Sequence, residues 1–277
     1  MDRTNKVGFC GVSDKIVINK AMLHHYEEPL ISGEITDKGS GAIFFAGCNL
    51  KCCYCQNHRL SHDCVGDEYT VDGLVEIIKD LEQQGAYNIN FVTPTHYTDQ
   101  IIAALDIYRP SVPIVWNSSG YEAVETIVKL KDYVDIYLVD MKYASDELGL
   151  RYSKVSDYVM VNRLCIDAMR QNQPMDIVES GLMKKGVIIR HLILPNHTDD
   201  SVECLRYIHD NWGEQTIVSI MSQYEPLYKA SKYPEINRKI TKLEYKRVVS
   251  QALRLNMMNC FVQDTASADS KYIPDFK

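Results

Sequence analysis

Downstream of residue 41 the chain repeats one alternation: a short apolar run, then a stretch with apolar positions three and four apart. The runs fall at 42–46, 89–92, 112–116, 134–139, 187–194 and 217–221, with a weaker seventh at 260–262. They are continuous rather than alternating apolar and polar, as parallel strands covered on both faces require. Between them Thr70 is positioned to cap a helix whose apolar stripe is Val71, Leu74, Ile77, Ile78 and Leu81, with Gly85 to end it. Further helical patterns cover 122–130, 156–171 and 199–211. Thr241-Lys-Leu-Glu244 spells a capping box that opens a last helix running to Leu255.

Strands alternating with helices imply right-handed crossovers and a parallel sheet. Six such units are too few to close an eight-stranded barrel. The predicted fold is therefore α/β: an open, partial parallel (β/α)6 barrel over residues 41–277. Ligands in such folds sit at the carboxyl ends of the strands. Residues 1–40 fit no unit and are expected to form a small N-terminal lobe packed on the core, carrying Cys10 and the pair His24-His25.

At 277 residues and 45% hydrophobic, the chain can bury a substantial core as one large domain or two small ones. No stretch approaches the roughly 20 apolar residues of a membrane span. The opening Met1-Asp-Arg-Thr-Asn-Lys6 lacks the apolar run of a signal peptide, so the cytoplasm is the expected compartment and no membrane partner is expected. Thirty Lys and Arg against 37 Asp and Glu leave a formal charge of −7, which argues against broad binding to nucleic acid.

Nine cysteines is an odd count, and four of them crowd into residues 48–55. In a reducing compartment that crowding reads as metal ligation rather than a disulfide framework. The run is Gly47-Cys-Asn-Leu-Lys-Cys-Cys-Tyr-Cys-Gln-Asn57. Thiolates from Cys48, Cys52 and Cys55 can ligate three irons of a [4Fe–4S] cube and leave the fourth open. An open coordination site is where a metal centre does chemistry. Cys53 could replace Cys52 in that set, although in a compact loop adjacent Cys53 and Tyr54 would point elsewhere. A zinc site is the rival: the same three cysteines with His58 or His62, or with Cys64. Structural zinc loops usually come as two separated halves, and no second half exists here. Cys10, Cys64, Cys165, Cys204 and Cys260 are scattered and read as small buried hydrophobes.

The C-x3-C-x2-C spacing, with Tyr54 before the last cysteine, resembles the signature of the radical S-adenosylmethionine (SAM) enzymes. The likeness extends from Gly8 to the C-terminus and is similar to the pyruvate formate-lyase-activating-enzyme-like branch. It includes Asn90-Phe-Val-Thr-Pro-Thr-His96, Asn117-Ser-Ser-Gly-Tyr121, Asp140-Met-Lys142, Arg190-His-Leu-Ile-Leu-Pro195 and Met221-Ser-Gln-Tyr224. The resemblance implies one [4Fe–4S] cluster whose open iron binds the amino and carboxylate groups of SAM. An electron from a flavodoxin- or ferredoxin-type donor then splits SAM into methionine and a 5′-deoxyadenosyl radical, which takes a hydrogen atom from substrate.

The resemblance also implies site residues at strand ends. Tyr54 belongs to the cofactor loop. Thr93 and Thr95 stand where relatives often carry Gly-Gly-Glu against the SAM amino group. Asn117 and Ser119 are positioned to hydrogen-bond the ribose. Asp140 and Lys142, two apart on an extended segment, can both face the pocket. Arg190 lies inside an apolar strand and needs an anionic partner, which the SAM carboxylate, Asp140 or some other acid would supply. His96 could reach substrate, His191 should face away from the pocket, and His24 or His25 could face the cluster. The stretch 223–229 and Gln263-Asp264 fall near a substrate mouth. Within this branch the substrate is either a glycyl radical enzyme, activated at a glycine α-hydrogen, or a small molecule or peptide. The absence of further cysteine clusters favours the first.

Overall fold

The computed structural model describes residues 6–34 and 38–262; Gln263 and Asp264 lie outside it. Ten strands form β1 (Ile16–His24), β2 (Ser40–Phe45), β3 (Asp67–Tyr69), β4 (Ile89–Val92), β5 (Ile114–Ser118), β6 (Ile136–Asp140), β7 (Ile177–Glu179), β8 (Leu182–Leu192), β9 (Ile217–Met221) and β10 (Cys260–Val262). They join one open sheet in the order β10-β9-β8-β6-β5-β4-β2-β1-β3, with β7 paired to β8. From β2 to β10 along that order every neighbouring pair is parallel, while β1, β3 and β7 pair antiparallel. The open α/β partial barrel expected from the apolar runs is the observed architecture. The parallel strands are buried on both faces, β2, β4, β5 and β9 without an exposed residue, which is why they read as unbroken apolar runs.

The helices follow their local signals. Thr70 accepts a hydrogen bond from the Gly73 amide and opens Val71–Gln83, whose buried face is Leu74, Val75, Ile78 and Leu81. Thr241 and Glu244 complete a reciprocal capping box at the start of Lys242–Arg254. Longer helices at Tyr158–Asn172 and Thr198–Trp212 cover the sheet where the periodicity requires. Cys10, Cys165 and Cys204 are buried; Cys64 and Cys260 are partly so.

Two features depart from the periodicity. The stretch before residue 41, expected as a lobe, contributes β1 to the sheet itself, beside β2. That strand mixes polar and apolar positions because it lies near the sheet edge and is only half covered. Strand β8 begins five residues before the apolar run at 187, because Ser180 and Gly181, both at positive φ, turn β7 back onto its polar start. Among the described residues no helix is long and apolar enough to cross a membrane.

Candidate active site

Two residues beyond β2 lies Gly47, whose φ of +87° and tight surroundings admit only glycine: an added Cβ would lie 2.8 Å from the Cys10 carbonyl oxygen. That same carbonyl accepts the Cys48 amide at 3.1 Å. The cysteine loop is then pinned from outside. Lys51 and Cys53 donate their amides to the Ser153 and Tyr152 carbonyls, and the Lys229 amide donates to the Cys53 carbonyl. A cavity of about 250 Å3 opens at the carboxyl ends of the strands, and Cys48, Cys52 and Cys55 all line it; Cys53 does not. Cys52 Sγ lies 3.0 Å from Ser153 Oγ, and Cys55 Sγ lies 3.0 Å from Ser61 Oγ. Tyr54 Oη meets Tyr143 Oη at 2.6 Å, and Tyr143 Oη meets Ser153 Oγ at 2.7 Å, so a hydroxyl chain runs from Tyr54 to the Cys52 sulfur.

Burial, reinforced by Cys52, pushes the Cys48 thiol up to about 12. Burial pushes Cys55 up to about 11 and raises Cys52 as well. Thiolates in so dry a cavity need strong positive charge beside them, which a metal centre provides while displacing the protons. A cube spreads three thiolates over three irons, and three thiols on one cavity wall fit that demand. A single ion needs tighter convergence, and among the described residues no group of three or more His, Cys, Asp or Glu could hold one. His58 and His62 pack against the Tyr228 ring at 4.8 and 4.7 Å between centroids.

The strand ends supply the opposite wall. Thr93, Asn117, Ser119, Asp140, Lys142 and Arg190 all line the cavity. Asp140 accepts from Lys142 Nζ at 2.6 Å and from Arg190 Nε at 2.8 Å. Burial acts to raise the Asp140 carboxyl, but Arg190 and Lys142 outweigh it and hold the group below its usual range. Arg190 also reaches Asn117 Oδ1 at 2.7 Å, Glu27 at 3.3 Å and Glu28 at 3.8 Å. The anionic partners its position demands are thus Asp140 and two carboxylates from the segment after β1. Burial, against the pull of Arg190, lifts the Glu28 carboxyl to about 7.

Other expected residues stand elsewhere. Thr95 does not line the cavity; its hydroxyl donates to Glu122 at 2.7 Å. His96 hydrogen-bonds the Ala46 carbonyl at 2.7 Å, a tether between strand ends. His191 is buried away from the cavity with Nδ1 2.7 Å from the Met141 carbonyl, and burial lowers it to about 4. His24 lines the cavity and His25 does not. Gln223, Tyr224 and Glu225 line an adjoining cavity of about 220 Å3 that shares Cys52, Cys55, Asp140, Lys142 and Arg190 with the first. Pattern reading overlooked Glu27, Gln56, Asn57 and Glu122; the acidic pair before Pro29 was the one local signal available.

An open α/β partial barrel, with thiols on a buried cavity at the strand ends, defines a metal-cluster enzyme of the barrel type. The chain belongs to the Radical SAM superfamily, whose family profile matches residues 42–208. Over 268 residues it is 33% identical to an uncharacterized protein of Methanocaldococcus jannaschii, covering 93% of this chain and 72% of that one. A shorter match of 122 residues, 43% of this chain and 49% of the other, is 31% identical to the 7-carboxy-7-deazaguanine synthase of Methanothermobacter thermautotrophicus. Among solved structures, Streptococcus suis SuiB bound to the precursor peptide SuiA superposes with a TM-score of 0.53 at 13% identity, over 78% of this chain and 46% of that one. The FeFe-hydrogenase maturase HydG of Carboxydothermus hydrogenoformans superposes at 0.52 with 14% identity, over 78% and 50%. The chain therefore spans about half the length of those solved structures, and the likeness to them is one of fold. As in the rest of its superfamily, the cofactors are a [4Fe–4S] cluster and SAM, and the chemistry needs an electron donor.

Proposed function

We propose that Cys48, Cys52 and Cys55 hold the cluster and that the facing strand ends hold SAM. The observation that carries this reading is the cavity lined by those three thiols and, opposite, by Asp140 and Lys142. When bound, the reduced cluster supplies the electron that cleaves SAM to methionine and a 5′-deoxyadenosyl radical, which abstracts hydrogen from substrate. The chain's own residues bind, orient and exclude water. Asn117 and Ser119 present polar groups suited to ribose hydroxyls, and Thr93 presents its backbone beside them. Lys142, anchored on Asp140, offers an ammonium suited to the SAM carboxylate. Arg190 is tied to Asp140, Glu27 and Asn117 and acts by fixing Asp140 and Asn117. Tyr54 and Tyr143 brace the hydroxyl of Ser153 against the Cys52 sulfur.

In the finer reading the enzyme activates a glycyl radical enzyme by abstracting a glycine α-hydrogen. Its support is the motif resemblance and the adjoining cavity of about 220 Å3, whose lining includes the carboxamides of Gln56, Asn57 and Gln223; carboxamides suit a peptide backbone. A small-molecule substrate is the second reading, favoured by the partial identity to a deazaguanine synthase. The electron donor is read as a flavodoxin or ferredoxin. The test is anaerobic incubation with SAM, reductant and a glycyl radical enzyme from the same cell. A glycyl doublet in electron paramagnetic resonance supports the activase reading. Deoxyadenosine formed without a doublet, with label passing to a small metabolite, supports the other.

A further inference from the structure

Glu122 lies four residues beyond the end of β5, 3% exposed, and among the described residues no cation pairs with it. Its carboxylate instead accepts from three donors, the last two of them on buried residues: Thr95 Oγ1 at 2.7 Å, Trp116 Nε1 at 2.9 Å and Ser118 Oγ at 2.5 Å. Cys165 Sγ approaches at 3.9 Å from the helix Tyr158–Asn172. A buried carboxylate without a counter-ion is retained at a cost in desolvation, so its bonds must fix something.

What they fix is the turn after β4. Thr93 sits at φ +57°, a left-handed conformation unfavourable for a β-branched residue, more so for one preceding proline. Thr93 lines the SAM cavity, whereas Thr95, two residues on, points away from it. Three tethers hold the turn: the Thr93 amide donates to the Asn117 carbonyl at 2.9 Å, His96 bonds the Ala46 carbonyl, and Thr95 is tied to Glu122. The first two act through backbone carbonyls of neighbouring strands. Only the third ends on a side-chain carboxyl, and that acceptor also grips Trp116 and Ser118 on either side of Asn117. Strained conformations of this kind persist where the surroundings over-determine them, and they gather at ligand sites.

We propose that Glu122 is a positioning residue for SAM: it holds the turn 93–95 in its left-handed form and thereby sets the affinity of the cavity for the cofactor. This rests on the reading that the cavity takes SAM. Glu122 touches no reacting group; it acts through Thr95 and Ser118.

The test is a double-mutant cycle on cluster-loaded protein, read by equilibrium binding of SAM, melting temperature and crystallographic φ at residue 93. Glu122→Gln should weaken SAM binding about tenfold, since one of its acceptor oxygens becomes a donor facing donors. In its crystal structure Thr93 should return to negative φ. Thr93→Gly supplies the background of the cycle, because glycine holds the left-handed form without strain. Combined with Glu122→Gln it should recover most of the loss, a non-additive cycle. Should Glu122→Gln not fold, Thr95→Val severs the same tether from the other end and should weaken SAM binding about threefold or more. Lower melting temperatures with unchanged SAM affinity, or an additive cycle, would overturn the inference and assign Glu122 a structural role alone. A wild-type protein that loads its cluster and binds no SAM would instead overturn the reading of the cavity beneath it.

Discussion

Asp140, the last residue of β6, and Arg190, in β8, are register partners across adjacent parallel strands, and their side chains meet at 2.8 Å on the cavity face. Both are largely buried, with side-chain exposures of 14% and 15%. Breaking a buried ion pair from one side commonly costs about 3–5 kcal/mol, because a lone charge is left behind. Here Glu27 and Glu28 still face Arg190, so Asp140→Asn is expected to cost less, about 2 kcal/mol in urea unfolding. Lys142 loses its anchor at the same time. SAM affinity should fall about tenfold; unchanged affinity would remove Asp140 from the site.

Glu28 gives a pH dependence of definite sign. Its folded-state pKa, about 7, lies above the ordinary 4.5. The folded protein therefore binds the proton more tightly than the unfolded chain, and that contribution is fully present below pH 4.5. It is lost as pH rises through 7. Glu28→Gln removes the titration. Relative to wild type, the variant should gain stability between pH 5 and pH 8, by up to about 3 kcal/mol in denaturant titrations. A constant difference across that range would contradict the assignment.

The hydroxyl chain ending at Cys52 should be visible in the cluster's redox potential. Hydrogen bonds to ligand sulfur favour the reduced, more negative state. Ser153→Ala removes the hydroxyl 3.0 Å from Cys52 Sγ. The midpoint potential should shift negative by on the order of tens of millivolts in a spectroelectrochemical titration, with iron content retained.

Gly47→Ala tests the entry to the cysteine loop. A Cβ there meets the Cys10 carbonyl oxygen at 2.8 Å with φ at +87°. The loop must shift, and the Cys48 amide loses its acceptor. Stability should fall by about 2 kcal/mol or more, and iron per chain after anaerobic reconstitution should drop.

The parallel strands and the cysteine loop were legible because each is encoded locally: unbroken apolar runs for strands covered on both faces, and a fixed spacing for the loop. Asp140 and Lys142 were legible for the same reason, since period two on an extended segment puts them on one face. That rule fails at Thr93 and Thr95, where positive φ and a 3-10 turn break the alternation and send the second hydroxyl to Glu122. Nor does a local pattern reveal Glu27. It meets Arg190 and Asn117 only because β1 returns antiparallel beside β2, a long-range pairing that no window of sequence contains.

The central claim, that Cys48, Cys52 and Cys55 are the cluster ligands, is tested most directly by comparing Cys52→Ala with Cys53→Ala after anaerobic reconstitution. Cys53, outside the cavity lining, should be dispensable: its variant should keep about four irons per chain and still form 5′-deoxyadenosine from SAM. Cys52→Ala should lose both the cluster signal and the deoxyadenosine. The reverse result, a loaded and active Cys52→Ala beside an empty Cys53→Ala, would contradict the account.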